Sequence, residues 1–131
     1  MTLKKNHFFS LCQTINTLRA DNGCPWDQKQ TTQSLKKYIQ EESNELLEAM
    51  EKNDPTHICE ESGDLLFLLL LLAEIHNEQG SFCLDDVLSG INEKMIRRHP
   101  HVFANSATGN EQELKEQWEK IKMEEQAKKT N

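Results

Sequence analysis

The amino-acid sequence predicts an all-α protein, built as an antiparallel helical bundle with a four-helix core and a further C-terminal helix. Sixteen leucines stand against only two valines, and β-strands favour β-branched residues. Apolar residues also recur at steps of three and four positions, which is the helical period. A length of 131 residues suits one domain, so we expect a single domain over residues 1–131 with its core at about residues 3–128.

We expect five helices, each bounded by a capping residue, a proline or a glycine. The clearest start signal is Asp54-Pro55, an acidic cap followed by proline at the first helical position. The expected bounds are about Leu3–Arg19, a cap at Thr31 or Thr32 to Lys52, Pro55–Gln79, Asp85 to just before Pro100, and Asn110–Lys128, with residues 24–27 as a loop.

The negative charge of the chain is concentrated in one segment. The formal net charge is −7, yet residues 41–64 hold nine acids and one base, and the rest of the chain sums to +1. A protein with phosphate contacts spread over its surface, such as a general nucleic-acid binder, is therefore disfavoured. The acidity is local and needs a local explanation.

The cysteine pattern and the start of the chain favour a reducing compartment. The four cysteines form no close pair, and Lys4 and Lys5 precede only a broken apolar stretch rather than a signal peptide. We therefore expect free thiols and a cytoplasmic location.

The longest apolar run, Leu65–Ala73, is too short to cross a membrane. At helical rise it spans only ~14 Å, about half of the bilayer core. A helix that is apolar on all sides is buried on all sides. Because the run is too short to span a bilayer, we expect no membrane partner. In so small a chain, burial on all sides favours contact with a second copy, so we also expect a homodimer.

Four acidic side chains fall on helix faces that are otherwise apolar. On the second helix, Glu42 lies in the middle of the apolar face and Glu45 at its edge. On the third helix, Glu61 and Asp64 lie among leucines. A short connection makes these helices antiparallel neighbours, so two acid pairs at i, i+3 direct four carboxylates inward. Because buried carboxylates are costly without a compensating charge, and because the ligand set is all oxygen, the pattern predicts Mg²⁺ or Mn²⁺.

Two other interpretations of the acidic residues compete with a divalent-cation site. An acid run on a helix is usually a solvated face, and we accept that interpretation for Glu48, Glu51 and Glu74. A di-iron carboxylate bundle uses Glu-x-x-His, and that step does not occur in the sequence.

A basic cluster lies near the end of the fourth helix. Lys94, Arg97 and Arg98 share one face, as residues at i, i+3 and i+4 do. Cations at a helix C-terminus are favoured by the helix dipole, which accounts for one or two of them. Three within five residues suit a polyphosphate ligand better. Spacing alone makes Trp26 and Trp118 core residues more readily than base-stacking ones.

Several short motifs, in this order, resemble those of the MazG nucleoside triphosphate pyrophosphohydrolases over about residues 18–122. They are Gly23-Cys24-Pro25-Trp26-Asp27, Gln30-Thr31, Ser34-Leu35 with Tyr38, Glu41-Glu42-x-x-Glu45, Glu60-Glu61-x-Gly63-Asp64, Lys94-x-x-Arg97-Arg98-His99-Pro100-His101-Val102-Phe103, and Trp118 with Lys122. Thr32 and Ser62 depart from the family pattern, and neither change removes an acid.

The resemblance implies a dimer, sometimes a dimer of dimers, that cleaves a nucleoside triphosphate between the α and β phosphorus in the presence of Mg²⁺. It implies metal ligation by Glu42, Glu45, Glu61 and Asp64. The substrate contacts that it implies are Lys94, Arg97 and Arg98, with Trp26, Trp118 and Lys122 as further candidates.

The water-orienting group and the substrate range stay open. Glu41 and Glu60, each next to an expected ligand, are candidates to orient the attacking water. The expected role is house-cleaning of the nucleotide pool, with Mn²⁺ as a substitute for Mg²⁺. Two alternatives are a narrow enzyme for dUTP/dCTP or phosphoribosyl-ATP and a non-catalytic helical module of the same fold.

Overall fold

The computed structural model describes residues 6–105 and 107–129, and every regular element within them is an α-helix. The chain divides into two compact units, Met1–Leu84 and Asp85–Asn131. The all-α class is thus confirmed, whereas the single domain over residues 1–131 stays a prediction. The helices are α1 His7–Arg19, α2 Pro25–Gln28, α3 Thr32–Glu51, α4 Pro55–Glu78, α5 Leu84–Arg98, α6 Pro100–Phe103 and α7 Glu111–Lys129.

The helix boundaries follow the capping signals of the sequence. Thr31 caps α3 through a reciprocal capping box with Ser34. Asp54 caps α4, its Oδ1 accepting from the backbone N–H groups of Thr56 and His57 at 3.1 and 3.3 Å. Gly80, at φ +75°, follows the end of α4, where a left-handed residue suits glycine. The expected start of the first helix at Leu3 lies outside the described residues.

Two short helices replace segments that the sequence pattern favours as loop or turn. The prediction of a loop at residues 24–27 is wrong, because Pro25–Gln28 form one helical turn with Pro25 at its first position. Pro100–Phe103 form a second single turn, α6, after α5 has ended before Pro100 as expected. One turn is too short to show a periodic pattern in the sequence.

The core of the first unit forms where α1, α3 and α4 meet. Its fully buried side chains are Ile15, Leu35, Leu71 and Ile75. The turn between α3 and α4 passes through Asn53 at φ +50°, so the two helices run antiparallel and pack along each other. This packing sets the acidic residues of α3 against those of α4.

The apolar run on α4 is only partly buried within the chain. Leu68, Leu70 and Leu71 are buried, whereas Leu66 and Leu69 are 42% and 48% exposed. Across residues 6–105 and 107–129, the structure contains no helix long and apolar enough to cross a bilayer.

Candidate functional site

Four carboxylates of α3 and α4 come together, and we call them the carboxylate cluster. Each of the four residues offers one oxygen, and these oxygens all lie within 4.8 Å of one another. Glu42 and Glu61 are half-buried, and Glu45 and Asp64 are exposed. The acid pairs are one helical turn apart on each helix, so antiparallel packing makes the pairs face each other. The members of the cluster are Glu42, Glu45, Glu61 and Asp64.

Two oxygens of the carboxylate cluster lack a hydrogen-bond donor. Glu42 Oε2 and Glu61 Oε2 are buried, and neither has a hydrogen-bond partner among the described residues. A buried carboxylate oxygen without a donor is costly. The arrangement therefore fits a hard divalent cation, which takes oxygen ligands and supplies the missing positive charge.

Two members of the carboxylate cluster, Glu42 and Glu61, have a raised pKa. Burial raises the pKa of Glu42 from 4.5 to about 7, and hydrogen bonding with Glu45 and the neighbouring negative charges add to the rise. Burial also raises the pKa of Glu61, again helped by Glu45 and by the charges around it. The Glu42 and Glu61 carboxylates are therefore harder to ionise than free carboxylates.

A cavity of about 300 Å³ adjoins the carboxylate cluster within the first unit. Glu42 and Asp64 line one part of it, and aromatic and aliphatic side chains line the rest. An apolar pocket with a few convergent charged groups is the usual form of a small-molecule site. The remaining lining residues are Trp26, Tyr38, Phe67 and Leu68.

The wall residue Trp26 lies in the α2 turn, which hydrogen bonds tie to its surroundings. Its ring meets Tyr38 edge-on, with ring centres 5.2 Å apart. The Gln30 side chain donates to the backbone carbonyl of Trp26 at 2.8 Å. The Arg19 guanidinium donates to the backbone carbonyls of Asp27, Gln28 and Gln30, which ties the α2 turn to the end of α1. Trp26 is thus a fixed wall of the cavity.

The second unit brings together most of the basic and aromatic residues expected to contact substrate. Arg97 and Arg98 of α5 both pair with Glu125 of α7. The Arg98 guanidinium lies 4.9 Å from the centre of the Trp118 ring, and His99 meets that ring edge-on at 5.3 Å. Lys94 is half-buried on α5. Lys122 is exposed on α7, and its role stays a prediction.

The two candidate water-orienting residues lie next to the carboxylate cluster in the sequence. Glu41 and Glu60 are exposed, each beside a member of the carboxylate cluster, and the charge of Glu60 contributes to the raised pKa of Glu61. Their role as water-orienting groups stays a prediction.

The comparisons with known proteins agree with this site. The family model of the MazG nucleotide pyrophosphohydrolase domain matches residues 30–103, a range that contains the whole carboxylate cluster. The chain belongs to this family. The resemblance inferred from the sequence motifs is thereby confirmed.

Two relatives and one solved structure show how far the MazG similarity extends. The uncharacterized protein YabN of Bacillus subtilis is 51% identical over 88% of this chain and 24% of its own length. The nucleoside triphosphate pyrophosphohydrolase MazG of Thermotoga maritima is 43% identical over 93% of this chain and 46% of its own length. The crystal structure of a MazG-related protein from Thermotoga maritima superposes with a TM-score of 0.72 at 28% identity, covering 88% of this chain and 98% of that one. The chain therefore spans a quarter to a half of these relatives' length but nearly all of the solved MazG-related chain.

Two residues that the structure brings to the cavity and to the arginine pair are not among the site residues predicted from the sequence. The periodic pattern places Tyr38 on the apolar face of its helix, yet it lines the cavity with Trp26. Glu125 belongs to none of the sequence motifs. It lies seven residues after Trp118 and therefore on the same face of its helix. Examining every helix for an acid on a largely apolar face would have found Glu125.

Proposed function

We propose that this chain hydrolyses nucleoside triphosphates between the α and β phosphorus, releasing a nucleoside monophosphate and pyrophosphate. The carboxylate cluster beside an aromatic-lined cavity is the observation that carries this proposal. The name of the Thermotoga maritima relative, a nucleoside triphosphate pyrophosphohydrolase, agrees with it. House-cleaning of the nucleotide pool, in the cytoplasm, is the role that we propose for this activity.

The cofactor of this proposal is Mg²⁺, with Mn²⁺ as a substitute. Glu42, Glu45, Glu61 and Asp64 would hold it, since they offer oxygen ligands and two buried oxygens lacking a donor. When bound, the cation supplies charge neutralisation for the phosphates and lowers the pKa of a coordinated water.

The remaining proposed roles are binding of the nucleoside, binding of the phosphates and orientation of the attacking water. Trp26 and Tyr38 offer flat apolar surfaces for the nucleoside, and such surfaces accept many bases. Lys94, Arg97 and Arg98 are proposed to bind the phosphates, because guanidinium groups match phosphate oxygens and a lysine adds a compact charge. Trp118 and Lys122 are further candidates for contacts with the substrate. Glu41 or Glu60 is proposed to orient the attacking water.

A homodimer is the proposed assembly, with a four-helix core completed by the second copy. Exposed apolar side chains that are neighbours at i, i+3 or i+4 on α3, α4 and α5 support it, because adjoining apolar groups in water mark interaction surfaces. These side chains are Leu47, Met50, Leu66, Leu69, Val87, Leu88 and Ile91.

A substrate panel tests the proposed activity. Pyrophosphate and monophosphate are measured together for canonical and damaged nucleoside triphosphates, dUTP, dCTP and phosphoribosyl-ATP, each with Mg²⁺. Equal release of both products from several nucleotides supports the proposal. Release from dUTP and dCTP only, or from phosphoribosyl-ATP only, favours a narrow enzyme, and no release with either Mg²⁺ or Mn²⁺ favours a non-catalytic helical module.

An acid-to-amide pair of variants ties the activity to the site. Asp64→Asn removes one charge of the carboxylate cluster and keeps the side-chain shape, so we expect activity to fall at least about a hundredfold. Glu51→Gln, on an exposed position of α3, is the matched control and should keep activity. Full activity in a folded Asp64→Asn variant would show that the ligand assignment is wrong.

A further inference from the structure

Glu125 of α7 binds two consecutive arginines of α5 with one carboxylate. Its Oε2 accepts from Arg97 Nε at 2.5 Å. Its Oε1 accepts from Arg98 Nε at 3.1 Å and from Arg98 Nη2 at 2.8 Å. Both oxygens of Glu125 are therefore engaged, and each arginine is held by a charge-assisted hydrogen bond.

Burial differs sharply within this group of three side chains. The side chains of Glu125 and Arg98 are 14% and 11% exposed, whereas that of Arg97 is 49% exposed. The Trp118 ring adds a second restraint on Arg98 by lying 4.9 Å from its guanidinium. Arg98 is thus fixed by an anion and by a ring, whereas Arg97 is fixed at one nitrogen and extends into solvent.

Two adjacent guanidinium groups repel each other unless an anion lies between them. Glu125 supplies that anion from another helix and so lowers the cost of keeping both cations together. It uses one of the five N–H donors of Arg97 and two of those of Arg98, and it accepts no hydrogen bond from the Nη1 group of either residue. The carboxylate orients the arginines and leaves donors of both outside its own contacts.

We propose that Glu125 is a positioning residue that holds Arg97 and Arg98 in one orientation for an oligophosphate ligand. This inference rests on the proposed function in one respect, namely that the ligand in catalysis is the triphosphate of a nucleotide. Pre-orientation matters because an arginine that is already held loses less side-chain entropy when it binds phosphate.

A solely structural role for Glu125 makes a different prediction. If the ion pairs only fastened α7 to α5, their loss would lower thermal stability and leave the phosphate affinity of the folded protein unchanged. If Glu125 instead competed with phosphate for the arginines, its loss would tighten phosphate binding. Affinity in the folded protein separates these roles from positioning.

The first experiment measures the binding of inorganic tripolyphosphate to the full chain by calorimetry in EDTA, so that hydrolysis plays no part. Glu125→Gln keeps the side-chain shape and removes the charge, and we expect its affinity to fall about five- to tenfold. Glu124→Gln, an exposed neighbour on the same helix, is the matched control and should bind as the wild type does. Should Glu125→Gln lose its helical circular dichroism, Glu125→Asp, which keeps the charge and shortens the reach, takes its place with the same expected direction.

The second experiment asks whether Glu125 acts through Arg97. In an Arg97→Ala background, the change at Glu125 should cost less tripolyphosphate affinity than in the wild type, because only Arg98, which the Trp118 ring also restrains, is left for Glu125 to position. In the wild-type background, the same change should raise KM for a nucleoside triphosphate about five- to tenfold and leave kcat within about twofold.

The outcomes separate this inference from the proposed function. Unchanged or tighter tripolyphosphate binding in Glu125→Gln overturns the positioning role, and so does a wild-type chain that does not bind tripolyphosphate. If the wild type binds tripolyphosphate and Glu125→Gln weakens it, yet no nucleotide releases pyrophosphate, the positioning role holds and the proposed function fails.

Discussion

Replacing Glu42 with glutamine should stabilise the metal-free protein while weakening its response to Mg²⁺. Glu42 is half-buried, and its Oε2 lacks a hydrogen-bond partner among the described residues. Glutamine has nearly the same shape and no charge, so Glu42→Gln removes the repulsion within the carboxylate cluster. The same change removes a proposed ligand of the cation.

The expected size follows from the raised pKa of Glu42. A rise from 4.5 to about 7 corresponds to about 3 kcal/mol of lost stability once the group is ionised in the folded protein. Because Glu45 and Asp64 are exposed, water screens their charges, and we discount the figure to about 1–2 kcal/mol. In a chain of this size that is a rise of about 3–10 °C in Tm.

The effect has a defined direction with pH. The folded-state pKa of Glu42 is raised, so the folded protein holds a proton that the unfolded chain releases between pH 4.5 and about 7. Wild-type stability therefore falls, relative to the variant, as pH rises through this window. The two proteins should match near pH 4.5 and differ most above pH 7.

Thermal unfolding by circular dichroism at pH 5 and pH 8, with EDTA or with Mg²⁺, measures the stability change and its pH dependence. In EDTA at pH 8, Glu42→Gln should melt higher than the wild type, and added Mg²⁺ should raise the Tm of the wild type much more than that of the variant. Glu48→Gln, on an exposed position of the same helix, is the control and should follow the wild type. Equal melting of Glu42→Gln and wild type in EDTA at pH 8 would show that the Glu42 charge does not destabilise the fold, and an undiminished Mg²⁺ response in the variant would show that Glu42 is not a ligand.

Three further predictions concern the cavity, the assembly and the arginine pair. Trp26→Ala should raise KM for nucleoside triphosphates about tenfold, because loss of a stacking surface costs about 1–3 kcal/mol per base. The affinity for tripolyphosphate, which has no base, should stay unchanged. Steady-state kinetics measures the first quantity and calorimetry the second, and an unaltered KM would contradict the stacking role. Leu69→Glu, at a position 48% exposed on α4, should convert the proposed dimer into monomers in light scattering, whereas a wild-type monomer would contradict the dimer itself. The Arg98 and Arg97 contacts lower the pKa of Glu125, so its stabilising effect is complete above the ordinary value of 4.5 and fades as pH falls through the lowered pKa. Chemical denaturation should therefore show the wild type more stable than Glu125→Gln at pH 7 and the difference shrinking below pH 4, and a constant difference would contradict the ion pairs.

The long helices are predictable from the sequence because their ends carry chemical signals. Thr31 and Asp54 cap the helices that carry the carboxylate cluster, and both caps form as expected. An acid on an otherwise apolar face is costly without a reason, so the periodic pattern alone is enough to identify Glu42 and Glu61. Their buried oxygens lacking a donor show that the cost is present in the fold.

The remaining features depend on long-range packing, which local patterns do not contain. Tyr38 resembles any other core residue in the periodic pattern, and only the position of the α2 turn makes it part of a cavity wall. Glu125 binds Arg97 and Arg98 across 28 and 27 residues of sequence, so no local motif joins them. The single turns α2 and α6 are likewise too short to produce a helical period.

Anomalous diffraction from crystals grown with Mn²⁺ and a non-hydrolysable nucleoside triphosphate analogue tests whether the carboxylate cluster holds a divalent cation. We expect an anomalous peak within coordination distance of Glu42, Glu45, Glu61 and Asp64, with the analogue's phosphates beside it. Carboxylates turned into solvent with no peak between them, or a peak held only by other residues, would contradict this expectation.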